Sequence, residues 1–101
     1  MLLGRIFVGI RRKDAIVATL SMSGAFLETP SPLPEESPIA LEISLPDGTL
    51  LVKGRVAYAH HPSREAPHHP SGMGVEFAQL TPEAEERLRR FLSEIEDRFA
   101  L

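Results

Sequence analysis

Four histidines fall in two adjacent pairs, His60-His61 and His68-His69, with Glu65 between them. Imidazoles and a carboxylate are ligands that suit zinc or nickel, and a hairpin would bring the two pairs together. Adjacent residues of a strand point to opposite faces, however, and the intervening prolines define no tetrahedral set. An exposed loop is the expectation, with no metal and no other cofactor assigned. A second group is cationic: Arg5, followed by Arg11, Arg12 and Lys13. The guanidinium fork can receive a phosphate, although a basic hairpin tip is ordinarily just solvated. The third group is hydroxylic, in Thr19-Leu-Ser-Met-Ser-Gly24. Ser21 and Ser23 have no cysteine, carboxylate pair or suitably spaced histidine to activate them, so they read as turn hydroxyls and no catalysis is expected.

The chain that must position these groups has 101 residues, a length that favours one domain spanning residues 1–101. Its formal net charge of −3 gives no overall attraction to nucleic acid or to an anionic membrane. Charge is nevertheless uneven, basic at the beginning and acidic in the last quarter, so docking of an anion would favour the N-terminal side. The absence of cysteine removes disulfides, thiolate catalysis and cysteine-based metal centres together. The apolar opening Met1–Ile10 is too short and interrupted to span a membrane and lacks the organisation of a secretory leader. A cytoplasmic protein without membrane insertion is the expectation.

Periodicity supplies the elements. Arg5–Ile10 reads as a strand with Ile6, Val8 and Ile10 on one face, and Arg11–Asp14 as the polar turn into a strand from Ala15. Ser21–Gly24 interrupts that strand, with Gly24 suited to a left-handed conformation, and Ala25-Phe-Leu restarts it. The prolines of Thr29–Pro38 exclude a helix or inner strand there. Ile39, Leu41, Ile43 and Leu45 alternate with polar residues, Pro46–Thr49 closes a hairpin, and the returning strand puts Leu50, Val52, Gly54, Val56 and Tyr58 on one side. Met73, Val75 and Phe77 line a last strand. Thr81-Pro82-Glu83 is a helix start, with a capping hydroxyl, a proline at the first position and an acid at the positive end. Ala84, Leu88, Phe91, Leu92, Ile95 and Phe99 make an apolar stripe whose first part packs on the strands, leaving Phe99 and Leu101 for a protein partner or a second copy. Short alternating strands with no intervening helices argue for a mainly β fold, a small antiparallel barrel with one C-terminal α-helix: strands over about 4–78, helix over about 82–99.

Thr19-Leu-Ser-Met-Ser-Gly24 resembles the Asp/Asn-x-Ser-x-x-Gly signature of PilZ domains, with Thr19 where the family has Asp or Asn. Ala25-Phe-Leu-Glu-Thr29 is similar to the strand that follows it, and Gly72-Met-Gly-Val-Glu-Phe77 with Leu80-Thr-Pro-Glu83 resembles the closing strand and helix entry. The resemblance implies a PilZ-like barrel and a regulatory role, in settings such as motility or type IV pilus regulation. In family members that bind cyclic di-GMP, an upstream Arg-x-x-x-Arg motif grips the ligand; no two arginines in this chain stand four apart. The resemblance therefore favours action through a protein partner over nucleotide binding. The nucleotide alternative would draw on Arg5, Arg11, Arg12, Thr19, Ser21, Ser23 and Gly24, provided that the barrel brings the arginines beside Ser21, or on arginines supplied by a partner.

Overall fold

The computed structural model describes residues 2–61 and 71–99, the side chains of 96–99 excepted. Six strands, β1 (Leu2–Val8), β2 (Arg11–Leu20), β3 (Gly24–Glu28), β4 (Pro38–Leu45), β5 (Gly48–His60) and β6 (Gly72–Phe77), precede one helix, α1 (Pro82–Phe99). The strands close into a barrel in the order β1-β2-β3-β6-β5-β4, every neighbour antiparallel. Closure pairs both sides of every strand and leaves no open edge.

Alternation explains the interior. Ile39, Leu41, Ile43 and Leu45 all point inward from β4, and they meet Ile6, Val17, Leu27, Leu50, Val56 and Met73. The helix contributes Ala84 and Leu88, both buried, with Phe91 and Leu92 partly buried against the same cluster. Thr81 caps its start: the hydroxyl accepts from the Ala84 amide at 3.1 Å, and its carbonyl accepts from the Glu85 amide at 2.9 Å. Two ion pairs with the favourable order lie on its wet side, Glu85 with Arg89 at 2.7 Å and Glu86 with Arg90 at 3.6 Å. Arg87 ties the helix to the β4–β5 hairpin, donating to the Thr49 and Gly48 carbonyls and to the Asp47 carboxylate at 2.9, 3.1 and 3.1 Å.

Four local expectations change. Val8 pairs with Arg11, so the first turn is Gly9-Ile10, with Gly9 at φ 60°, and Arg11–Asp14 belongs to β2. A glycine with positive φ allows this two-residue loop, which leaves Ile10 fully exposed at the tip and not on the inner face with Ile6. Tyr58 also leaves the inner face, because Ala57 forms a bulge on β5: Val56 pairs with Val75, but Tyr58 pairs with the next residue of β6, Gly74. One unpaired residue reverses the parity beyond it. Gly24 is not left-handed; a side chain at this position would run into the Val75 carbonyl on β6, so close strand approach requires the glycine. Finally, Ile95 is 37% exposed, beyond what the barrel covers.

Candidate functional site

The turn between β2 and β3 is built on one hydroxyl. Ser21 Oγ accepts from the amides of Ser23 and Gly24 at 3.3 and 3.2 Å, while the Ser21 amide donates to the Gly24 carbonyl at 2.9 Å. Ser23 is anchored through its carbonyl, which accepts from the Phe77 amide at 2.8 Å, and its hydroxyl lies 3.2 Å from that of Ser21. The turn thus binds to β6 through backbone and keeps its exposed hydroxyls at the surface. Ser21 acts in the structure as the turn former that its sequence context suggests.

Beside the turn lies an open cleft of about 500 Å³ on the outer surface of β2, β3, β6 and β5. A second bulge, at Ala18, turns Thr19 outward: Val17 pairs with Leu27, but Thr19 pairs with Phe26. Phe26 pairs in turn with Gly74, and Gly74 with Tyr58. Thr19, Phe26, Gly74 and Tyr58 therefore form one row across four strands, with a bulge on each flank aiming its outer members. Phe26 and Tyr58 lie with ring centroids 6.2 Å apart and planes 24° from parallel, and His60 is 5.4 Å from Tyr58. The Tyr58 ring covers the space where Gly74 would carry a side chain, and Phe26 does the same at Gly72. Those glycines are buried although they face outward.

The charge of this surface is unlike that of a phosphate site. Among the described residues lining the cleft, Glu76 is the one charged group. Its carboxylate receives Arg55 at 3.0 Å, while the same guanidinium holds Glu36 at 2.7 Å. Two carboxylates share one cation at this rim. The arginines at the start of the chain are elsewhere: β2 places Arg11 and Arg12 at one end and Thr19 at the other, about 25 Å away at ~3.3 Å per residue. Arg5 faces Asp14 across the β1–β2 pair at 3.4 Å, also remote from Ser21. Thus the fold brings Thr19, Ser21, Ser23 and Gly24 together and does not bring Arg5, Arg11 or Arg12 to them.

Phe26, Tyr58, Gly74 and Glu76 were not singled out from the sequence. The Gly72-x-Gly74 alternation opposite aromatic residues was a signal, but it becomes readable only once the β5 bulge is known. Of the histidine loop, residues 62–70, with Glu65, His68 and His69, lie outside the described residues, as does Leu101; nothing is described of the Phe99 side chain. No group of ligating side chains that could hold a metal is present among the described residues. No helix among them is long and apolar enough to cross a membrane.

Comparison with known proteins places this geometry. No curated protein matches the chain. Among solved structures it is similar to the crystal structure of the PilZ domain of CeSA from a cellulose-synthesizing bacterium, with a TM-score of 0.66 over 94% of this chain and 92% of that one. The two share 17% sequence identity, so the likeness concerns the fold. The family model of the PilZ domain matches residues 4–94, which takes in the whole barrel, the Ser21 turn and most of the helix. The chain belongs to the PilZ domain family, a family of cyclic di-GMP-binding and regulatory domains.

Proposed function

We propose that this protein is a non-catalytic regulatory or adaptor domain of the cytoplasm that works by contact with another protein and binds cyclic di-GMP weakly or not at all. The observation that carries this reading is the charge of the signature cleft, in which Glu76 is the one charged lining residue among the described residues while Arg11 and Arg12 stand at the far end of β2. Two phosphates brought to such a surface meet hydroxyl donors but, among the described residues lining it, no guanidinium or ammonium; hydrogen bonds to charged groups are worth about 1.5–3 kcal/mol each where present. Thr19 also supplies a hydroxyl in place of a carboxylate or carboxamide, with fewer hydrogen-bonding sites in total than either. Motility and type IV pilus regulation are the settings that family membership suggests. The test is isothermal titration with cyclic di-GMP at near-physiological salt. We expect no saturable heat and no ligand-dependent shifts at Ser21; a saturable isotherm of low-micromolar or tighter affinity overturns the reading.

A second reading, a nucleotide receptor completed by arginines from a partner, is favoured by one observation: the hydroxyl-lined turn still frames an open cleft with an exposed aromatic wall. It predicts that cyclic di-GMP binds only when the partner is present. For the partner contact itself, the C-terminal end of α1 is our candidate. Ile95 is exposed on the stripe that continues in sequence to Phe99 and Leu101. Truncation after Asp97 is expected to weaken association, with a partner or a second copy, more than it weakens folding. An unchanged sedimentation coefficient and an undiminished pull-down after truncation would reject that surface.

A further inference from the structure

The row Thr19, Phe26, Gly74, Tyr58 is over-determined for a solvent-facing strip. Two bulges, at Ala18 and Ala57, are required to turn its end members outward. A bulge interrupts ladder pairing, and bulges are used where a side chain must be re-aimed. Here they aim a hydroxyl from one side and a phenol ring from the other. Between them β6 offers Gly74, which has no side chain to stand in the way, so that the Tyr58 ring lies down over the strand. Tyr58 is nevertheless 45% exposed as a residue, and Phe26 lies beside its ring close to parallel. The result is an aromatic surface open to solvent at the side of a hydroxyl-bearing turn.

We infer that this surface receives the guanidinium of an arginine presented by a partner protein, the guanidinium stacking on Tyr58 and Phe26 and donating to the hydroxyls and the Glu76 carboxylate at the rim. The inference rests on the adaptor reading above and specifies the chemistry of its partner. Charge decides the class of ligand: among the described residues the one charged side chain lining the cleft is the Glu76 carboxylate, whose partner Arg55 is shared with Glu36, and this opposes phosphate and favours a cation. Shape decides the kind of cation. A guanidinium is planar and weakly hydrated, stacks on aromatic faces, and carries five donors in a fixed fork, whereas an ammonium is a compact and strongly hydrated point charge. Hydroxyls and a carboxylate beside an aromatic face accept the donors at the guanidinium edge while the ring takes its plane.

Tyr58 is the chain's one tyrosine, and the chain has no tryptophan, so its intrinsic fluorescence reports this site. The probe is a blocked Gly-Arg-Gly-Arg-Gly peptide, titrated into the full chain while tyrosine emission and backbone amide shifts are followed. Matched peptides with lysine or citrulline in place of arginine, and cyclic di-GMP, form the other arms. We expect saturable shifts at Ser23, Gly24 and Gly74 with the arginine peptide, at least threefold weaker binding with lysine, and further loss with citrulline. Tyr58→Ala should weaken the arginine peptide at least tenfold and Tyr58→Phe less than threefold, while Glu76→Gln weakens it with the folded spectrum unchanged. Equal binding of the lysine peptide, or indifference to Tyr58→Ala in a folded variant, overturns the inference. So does the absence of any shift, and if cyclic di-GMP is also silent the adaptor reading survives that failure. Saturable binding of cyclic di-GMP that depends on Tyr58 would instead assign the ring to a nucleotide base and remove both readings.

Discussion

Each residue of the signature turn has a separate physical job. Ser21 satisfies two amides with one oxygen, Ser23 ties the turn to β6 through its carbonyl, and Gly24 lets β3 approach β6 closely. The glycine requirement gives a prediction distinct from the usual left-handed-glycine argument. In Gly24→Ala the added methyl meets the Val75 carbonyl, a backbone atom inside a closed barrel that cannot rotate away. Overpacking of this kind costs about 1–3 kcal/mol. Urea unfolding should show a loss in that range, together with amide shifts concentrated at Val75 and Glu76. A stability within a few tenths of a kcal/mol of the parent would mean that the strands can separate without penalty, contrary to this account.

The elements meet at a few polar joints, and the one between α1 and the β4–β5 hairpin titrates. The hydrogen bond from Arg87, reinforced by its charge, lowers the pKa of Asp47 below the ordinary value of 3.8. A carboxylate whose folded pKa is depressed adds stability that is fully present above its unfolded pKa and is lost as the pH falls through the lower folded value. The joint should therefore weaken in acid below about 3.8, while a rise above neutrality leaves this pair unchanged. Asp47 is open to solvent, so the effect is modest. Denaturant midpoints measured across this acidic range should fall less steeply for Asp47→Asn than for the parent. Parallel curves for the two proteins would show that the Arg87 contact does not distinguish folded from unfolded chain.

At the scale of the whole molecule, the barrel separates its charged features. The helix and the Ser21 turn share one end: Met22 and Leu80 pack on the common core, and a shallow cleft there is lined by Met22 and Arg89 together. The Gly9-Ile10 tip, with Arg11 and Arg12, stands at the other end of β2. Closure by six paired strands and one docked helix provides a core of apolar side chains among the described residues. We accordingly expect chelation to leave the melting curve almost unchanged. A large fall in melting temperature, reversed by zinc or nickel, would show that metal binding contributes to folding.

The sequence by itself determined the strand alternation, the capped helix at Thr81-Pro82 and the Ser21 turn, because these depend on periods and hydrogen bonds within a few residues. Ile39 to Leu45 is the plainest instance: strict alternation leaves one face that can be buried. It determined neither where the arginines stand nor which way Tyr58 points. Arg11 and Arg12 are only seven or eight residues from Thr19 in sequence, yet a fully extended strand turns that interval into the length of the barrel wall. Tyr58 has the parity of the core in sequence, and a single unpaired residue at Ala57 reverses it. Bulges arise from the fit between strands in a closed barrel, where curvature must be absorbed somewhere along each ladder, and that fit depends on all six strands at once. Tertiary structure therefore decided the composition of the cleft: the signature hydroxyls that the sequence displays, an aromatic wall that it conceals, and no cation from the start of the chain.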